Sequence, residues 1–437
     1  MNDKSNMTII GGTRGLGKWM AEHLRDDFNI TITSRNEESG RKVAEKLNVD
    51  YNNDNIDAVC DANIILFSVP IEVMAETIKE VAPHAPEGSL LMDVASIKSK
   101  AAEALDKYAP ENVEIMPCHP MFGPRVPTLE RQIIVLTPSK TRPNKWLNRI
   151  KNYLNKVNCE IVITTPEEHD KYMSIVQGLT HFSYITLAST IRKLNINVKE
   201  SRNFSSPVYS LMLDMASRIV YQNPYLYYSI QKNNKQTENA RKALIKESIY
   251  LSKLIEDGEE EDFVKNITES AQHLDEREEA LIRSDKAISM TAQKANILTK
   301  SIGKEVGICE SYTQKTYIGH VLKVTSKNVI LDSAGEKITR KISNIEILSE
   351  SEMYEWKKNN LKLEHLKLNV NMSAECSEKY LILMFKNIEH VIDAEIINSK
   401  VNGSKTTYTF HYTLFDEKYK SYVEEYVKGI GGEIISN

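Results

Sequence analysis

The hydrophobic pattern of the chain has three regimes. Over roughly the first 164 residues, short apolar runs rich in β-branched residues recur at 8–10, 30–33, 62–69, 89–94, 113–116, 132–137 and 159–163. Helix-period segments separate them, and strands alternating with helices predict a doubly wound parallel sheet. From 165 to 300 the period is helical. Thr165-Pro166-Glu167-Glu168 reads as a helix start, with Thr as N-cap, Pro at the first helical position and Glu reaching back in a capping box. Ser206-Pro207 and Asn223-Pro224 open two more helices, and amphipathic helix runs from 237 to about 255 and from 260 to about 300. Near Gly303 the period becomes that of strands, at 305–308, 317–324, 328–331 and 337–339, with a turn at Ser333-Ala334-Gly335 between the last two. These runs predict a small barrel of the Sm or SH3 kind. A polar link, Lys357-Lys358-Asn359-Asn360, precedes strand, helix, strand, strand, helix, strand. The hairpin strands are Ala394-Glu395-Ile396-Ile397 and Thr406-Thr407-Tyr408-Thr409-Phe410; the last helix starts near Asp416 and the last strand is Glu433-Ile434-Ile435. That order is ferredoxin-like. The expected domains are 1–164, 165–300, 301–358 and 359–437.

Composition narrows the class. A chain of 437 residues predicts two to four domains. A hydrophobic fraction of 41% is ordinary for a globular protein, and a net charge of -4 argues against nucleic-acid binding. No apolar run approaches the roughly 18 residues that span a bilayer. The polar start, Met1-Asn2-Asp3-Lys4-Ser5-Asn6, has no signal-peptide core. The five cysteines (Cys60, Cys118, Cys159, Cys309, Cys376) are scattered and never in a CxxC. They predict reduced thiols in cytoplasm, with neither a disulfide framework nor a zinc site.

Chemistry concentrates in two stretches. Thr8-Ile9-Ile10 runs into Gly11-Gly12-Thr13-Arg14-Gly15-Leu16-Gly17, and a helix follows through Leu24. Strand, glycine turn and helix together make a dinucleotide fingerprint, so the first domain reads as Rossmann-like. Gly12 allows the tight turn and Gly17 the close packing of helix on strand. Arg14 stands in place of the middle glycine of GxGxxG, with Gly15 beside it; the backbone N–H groups at the helix start still face a pyrophosphate. The cofactor site is therefore Gly12, Thr13, Arg14, Gly15, Leu16 and Gly17, joined by Ser68, Val69 and Pro70 in the loop after the strand at 62–67. The strand at 30–33 ends in Ser34-Arg35, where NAD sites usually carry an acidic residue for the ribose. Ser34 and Arg35, with Arg41 beyond, suit the 2′-phosphate of NADP; the bland alternative is a solvated basic turn, and NAD is the alternative cofactor. The second stretch is Met116-Pro117-Cys118-His119-Pro120-Met121-Phe122-Gly123-Pro124, where two prolines and a glycine fix a turn after a strand. His119 on that turn lies on the same sheet rim as Ser68, Ser96 and the glycine turn, where α/β sheets bind ligands.

The glycine turn, Ser96 and above all His119-Pro120-Met121-Phe122-Gly123-Pro124 resemble the prephenate dehydrogenase family. The resemblance implies oxidative decarboxylation of prephenate to 4-hydroxyphenylpyruvate in tyrosine biosynthesis. It implies that His119 takes the proton of the ring hydroxyl and that Ser96 orients His119 or the hydroxyl. Gln177-Gly178-Leu179-Thr180-His181-Phe182 is similar to the opening of the family's second domain, where a histidine matching His181 lies beside substrate. Gln177 and His181 share a helix face. Gly178 permits close approach of another backbone. Arg218 interrupts the apolar run Leu211-Met212-Leu213 to Ile219-Val220 and matches the arginine that binds the substrate's carboxylate. A homodimer through the helical domain follows from the resemblance as well. The last domain resembles an ACT-type module, for which assembly and sensing of an aromatic amino acid are the two readings, with assembly favoured. Three alternatives remain open: arogenate as substrate, a non-catalytic dinucleotide-binding regulator, and a deazaflavin-dependent NADP reductase, which leaves the helical half unexplained.

Overall fold

The computed structural model describes residues 4–311, 313–373, 376–388 and 390–435. Met1, Asn2 and Asp3 of the polar start lie outside the described residues. The chain forms two compact units, one ending at Asp275 and one beginning at Glu276.

In the first unit, strands β1 (Asn6–Ile10), β2 (Asn29–Thr33), β3 (Asp50–Asn52), β4 (Ile64–Phe67), β5 (Leu90–Asp93) and β6 (Glu114–Ile115) form one sheet in the order β3-β2-β1-β4-β5-β6. Every neighbour pair is parallel. This is the dinucleotide-binding strand order. Helices α1 (Gly15–Leu24), α2 (Glu37–Leu47), α3 (Ile71–Val81), α4 (Ser99–Tyr108) and α5 (Lys145–Lys156) accompany it. Strand β4 explains why its sequence is apolar without alternation. Ile64 and Leu66 join one core with Ile9, Ile32, Leu90 and Trp146; Ile65 and Phe67 join the other with Ile10, Ile78 and Leu105. Each such side chain, fully buried, contributes about 1.5–3 kcal/mol.

The later runs leave this sheet. Strands β7 (Cys118–Pro120), β8 (Ile133–Leu136) and β9 (Glu160–Ile163) make a separate three-stranded sheet, β7 antiparallel to β8 and β8 parallel to β9. Pro117, between β6 and β7, has no N–H with which to continue the parallel ladder. Its carbonyl accepts from the Thr137 backbone at 2.9 Å and the Thr137 hydroxyl at 3.0 Å instead. His119 is thus on a short strand rather than on the turn expected from its prolines.

Helices α6 (Pro166–Met173), α7 (Thr180–Lys193), α8 (Val198–Ser201), α9 (Pro207–Val220), α10 (Pro224–Asn233), α11 (Lys235–Asp257) and α12 (Glu260–Leu274) complete the unit. Thr165 caps α6 by accepting from the Glu168 N–H at 3.3 Å. The reciprocal half of the expected capping box is replaced: the Glu168 carboxylate takes the Thr164 hydroxyl at 2.9 Å. The helix expected from 260 to 300 is broken at Asp275, which is left-handed at φ 43°. Asp tolerates that region better than most residues. The following helix, α13 (Arg277–Lys300), belongs to the second unit.

In the second unit, Leu298 of α13 enters a core with Val306, Ile308, Val321, Val329, Leu331, Ile342 and Ile345. Strands β10 (Glu305–Glu310), β11 (Thr316–Val324), β12 (Asn328–Ser333), β13 (Glu336–Lys341) and β14 (Ile345–Ile347) form an antiparallel sheet in the order β13-β12-β11-β10-β14. The polar stretch read as a link is the end of α14 (Glu350–Asn360), started by a complete capping box between Ser349 and Glu352. Then come β15 (Glu364–Ser373), α15 (Glu378–Lys386), β16 (Val391–Asn402), β17 (Lys405–Leu414), α16 (Lys420–Gly429) and β18 (Glu433–Ile435). Their antiparallel sheet has the order β16-β17-β15-β18. Phe385 of α15 stacks on Phe410 of β17 with centroids 3.9 Å apart. No helix among the described residues is long and apolar enough to cross a membrane.

Candidate active site

The glycine turn joins β1 to α1. Gly11 and Gly15 are left-handed at φ 86° and 55°, a region glycine enters freely. A Cβ on Gly17 would lie 2.6 Å from the Gly11 carbonyl and 2.8 Å from Ser68 Oγ; one on Gly12 would strike Ile32. The helix start therefore lies against the end of β4, where Ser68 donates its backbone N–H to Ile10 at 2.8 Å. Val69 touches the same turn, and Pro70 caps α3. Arg14, the N-cap of α1, makes no side-chain cap, and the first turn holds no acidic residue. The free N–H groups of Gly15, Leu16 and Gly17 thus face outward from a helix start that favours an anion. Thr13, Arg14 and these residues fit the pyrophosphate of a dinucleotide.

At the end of β2, Ser34 is half-buried and its hydroxyl donates to the Asn36 carbonyl at 2.8 Å. Arg35 is exposed and has no ion pair among the described residues. Arg41 does not add a second charge there: it pairs with Glu37 at 2.7 Å and lies over the Tyr51 ring.

His119 is 3% exposed. Its Nδ1 lies 2.9 Å from His169 Nε2 of α6, and His169 Nδ1 lies 2.8 Å from Asp170 Oδ1. Asp170 also accepts the backbone N–H groups of Lys98 at 2.8 Å and Ser99 at 2.9 Å. Burial opposes ionisation of Asp170, but the bonds from His169, Lys98 and Ser99 outweigh it and hold the carboxyl below its usual range. The charge fixes the tautomers. Asp170 accepts a hydrogen bond from the His169 Nδ1–H, so His169 Nε2 accepts and His119 Nδ1 donates. His119 Nε2 keeps its lone pair, with the Gln177 carboxamide nitrogen 3.4 Å away. That is a long contact, readily exchanged for a ligand. Burial above all, then the positive charge of Lys98 and the neighbouring His169, push the His119 imidazole well below its ordinary value. It is a neutral acceptor at neutral pH. Helix α1 fastens the loop beyond it: Trp19 Nε1 donates to the Val126 carbonyl at 2.8 Å, and His23 Nε2 lies 3.1 Å from that of Pro127.

Gln177 sits in a π-helical turn, Ser174–Leu179, between α6 and α7. Such turns leave backbone groups open, and Gln231 of α10 closes one by donating to the Gly178 carbonyl at 2.7 Å. Gly178 does permit close approach, but of a side chain: a Cβ there would lie 2.7 Å from Thr237 Oγ1. One turn on, His181 meets Tyr227 edge to face with centroids 4.7 Å apart. Burial pulls His181 down to about 4. Burial raises the Tyr227 hydroxyl above its ordinary value, and the positive charge of Arg218 works against that rise. Arg218 itself is exposed and has no carboxylate partner among the described residues. Among the described residues, Gln177 Oε1 and His181 Nδ1 are buried without a partner, as are Thr237 Oγ1 and Ser229 Oγ nearby.

Ser96 is half-buried but forms no hydrogen bond to His119, whose ring nitrogens are taken by His169 and Gln177. The sequence reading gave no part to His169, Asp170 or Lys98. The one signal was a pair of polar residues immediately inside the capped start of α6.

Residues 20–163 match the family model of the prephenate dehydrogenase nucleotide-binding domain, and residues 165–269 that of its dimerization domain. A protein of Methanocaldococcus jannaschii named a probable arogenate/prephenate dehydrogenase is 35% identical over 99% of both chains. The chain belongs to the prephenate dehydrogenase family. A T-protein of Haemophilus influenzae is 29% identical over 52% of this chain and 56% of its own length. The solved prephenate dehydrogenase of A. aeolicus, in complex with hydroxyphenyl propionate and NAD+, aligns with a TM-score of 0.52 at 22% identity. It covers 62% of this chain and 97% of that one, a likeness of fold. The dehydrogenase domains of the family thus coincide with the two regions that carry His119 and His181.

Proposed function

We propose that the chain is a prephenate dehydrogenase, converting prephenate to 4-hydroxyphenylpyruvate and carbon dioxide in tyrosine biosynthesis. The observation that carries this reading is the Asp170–His169–His119 chain, which leaves a lone pair on His119 Nε2, on the strand whose Cys118 carbonyl is bound by Lys98 after β5. The ring hydroxyl of prephenate displaces the Gln177 contact and donates to His119 Nε2. A nicotinamide dinucleotide held at the Gly11–Gly17 turn supplies the acceptor for the hydride that leaves the ring carbon. As the C–H and O–H bonds break, a carbonyl forms and His119 becomes an imidazolium. His169 and the Asp170 carboxylate stabilise that charge, a term general acid–base catalysis typically makes worth about 10²–10⁴-fold. The carboxylate on the opposite ring carbon then departs as carbon dioxide, its electron pair aromatises the ring, and His119 returns the proton to the oxygen. Ser96 donates to that oxygen. Arg218 pairs with a substrate carboxylate, and Gln177 and His181 offer their unpartnered atoms to the substrate.

We assign NADP as the cofactor, because Arg35 is exposed at the end of β2 with no ion pair among the described residues, and Ser34-Arg35 stands where an acidic residue would hold the ribose. Arg41 contributes nothing to this assignment. The exposed apolar surface of the helical region, including Val208, Met215, Tyr221, Tyr225, Ile245 and Ile249, supports a homodimer formed there. The five free cysteines fit a reducing cytoplasm. In the second unit we read a small β-barrel and an ACT-type module, with assembly favoured over sensing of an aromatic amino acid.

The test is one assay: purified chain, prephenate or arogenate, and NADP or NAD in parallel, followed at the absorbance of the reduced cofactor. Turnover of prephenate is expected. Tight dinucleotide binding with no turnover of either substrate would favour the non-catalytic regulator, and faster turnover of arogenate would reassign the substrate.

A further inference from the structure

Lys98 is fully buried, an uncommon place for an ammonium. It follows β5 in the loop that carries Ser96. Its Nζ donates to Asp93 Oδ2 at 2.6 Å and to the carbonyl of Cys118 at 2.6 Å. That carbonyl belongs to the peptide bond that leads into His119. The backbone N–H of the same residue donates to Asp170 at 2.8 Å, and that of Ser99 does so at 2.9 Å. One residue thus reaches His119 by two routes. Through its side chain it fixes the strand before the imidazole, and through its backbone it fixes the carboxylate at the far end of the histidine pair.

Such an arrangement is expensive. Burying an ion pair commonly costs more desolvation than its attraction returns, and a hydrophobic substitute of the same volume is often as stable. Here burial pushes the Asp93 carboxyl up against the pull of Lys98, and Asp93 Oδ1 has no partner among the described residues. Fold stability gives little reason for the pair. Proximity to His119 gives a better one.

We propose that Lys98 is a positioning residue for the proton acceptor: its buried ammonium clamps the Cys118 carbonyl to Asp93 and keeps positive charge beside His119, so that the imidazole begins each turnover neutral. This rests on the reading of His119 as the base. The titratable groups around the imidazole are Asp93 and Lys98 from the end of β5, Cys118 on its own strand, and His169 and Asp170 from α6; Gln177 is uncharged. Burial holds the Cys118 thiol up at about 12, so it stays neutral. Asp170 acts through His169 and favours the imidazolium once it forms. Lys98 opposes it directly. The two charges therefore divide the work: Lys98 adds to burial in keeping the ground state neutral, and Asp170, through His169, stabilises the imidazolium that forms in the reaction.

The experiment uses the full chain labelled with ¹⁵N at histidine. The His119 imidazole is titrated by NMR, with His119→Asn assigning its signal, in wild type and in Lys98→Met. Methionine keeps the length of the side chain and removes the charge. We expect wild-type His119 to remain neutral through pH 6.5, the ordinary histidine value. In Lys98→Met its titration should move up by about one pH unit or more, a tenfold gain in proton affinity, and the acid limb of the kcat/KM profile should move up with it. A merely structural lysine would lower yield or melting temperature and leave both midpoints in place. A folded Lys98→Met protein with an unmoved His119 midpoint overturns the proposal. If the single variant does not fold, Asp93→Asn/Lys98→Met removes both members of the pair and carries the same readout. If neither folds, the pair is part of the core and the assignment falls. The titration requires no substrate, so it can fail while prephenate turnover stands, and can hold while turnover is absent.

Discussion

The two ends of the proposed site are built in opposite ways. At the His119 end, His119, His169, Asp170, Lys98 and Asp93 are almost wholly enclosed and joined by bonds of 2.6–2.9 Å. At the helical end, among the described residues, Gln177 Oε1 and His181 Nδ1 are buried without partners and Arg218 is exposed without a carboxylate. Unpaired buried polar atoms cost about 1–3 kcal/mol each, and proteins keep them where a ligand completes them. On the proposed reading, the His119 end is preorganised for proton transfer by the chain itself, and the helical end is left for substrate to complete. Electrostatics that must be in place before reaction are folded in; those that bind are left open.

The contrast predicts a different kinetic signature for each end. The largest effect belongs to the His119 end. His119→Asn should lower kcat by roughly 10²–10⁴-fold while dinucleotide affinity changes little, because no bond of His119 reaches the glycine turn. Stopped-flow turnover and fluorescence titration of the reduced cofactor measure the two. Near-wild-type turnover would remove His119 from the reaction and with it the distinction between the ends.

At the helical end the loss should appear in binding. Arg218→Ala removes a charged hydrogen-bond donor worth on the order of 1.5–3 kcal/mol, or roughly ten- to over a hundredfold in affinity. KM for prephenate should rise by that factor with kcat much less affected. Since Arg218 is exposed and unpaired, the melting temperature should stay put. A lower melting temperature with an unchanged KM would make Arg218 structural.

Much of this was legible in the chain, and the misses have physical causes. The parallel sheet was readable because β4 and β5 are apolar on both faces, a pattern few alternatives produce. The departure of β7, β8 and β9 from it was not, since strand period says nothing about which sheet a strand joins. Pro117 carried that information, through an N–H it lacks. His119 stood out by its neighbours in sequence. His169, Asp170 and Lys98 did not, because what makes them matter is contact over 50, 72 and 20 positions of chain. Helix α14 was hidden by its polar surface: it is amphipathic only weakly, and its Ser349–Glu352 capping box is the one mark it leaves in sequence. The break at Asp275 was invisible because a left-handed aspartate has no sequence signature that separates it from a solvated one.

The cofactor end offers a finer test. Arg35→Asp puts a carboxylate where a ribose diol would be held and a 2′-phosphate repelled. The ratio of kcat/KM for NADP to that for NAD should fall by roughly tenfold or more, in line with the loss of one charged hydrogen bond. KM for prephenate should not move. A wild-type enzyme that prefers NAD would overturn the assignment of Ser34 and Arg35 before any variant is made.

The smallest expected effect concerns the second unit. Every residue assigned to the reaction precedes Asp275, where the first compact unit ends. The division falls in the left-handed aspartate between α12 and α13, not after Lys300, because Leu298 of α13 is fully buried among the strands that follow it. A chain ending at Lys300 would leave that leucine and its neighbours bare, whereas one ending at Asp275 cuts between cores. The shorter chain should therefore keep kcat and both KM values within about twofold, and it should remain a dimer by light scattering. Loss of turnover from a folded dimer would show that the second unit completes the site, contrary to the view that the chemistry lies wholly in the first. Adding tyrosine to both chains separates the two readings of the C-terminal module. Inhibition of the full chain that disappears in the short one would replace assembly with sensing, and identical responses would leave assembly as its role.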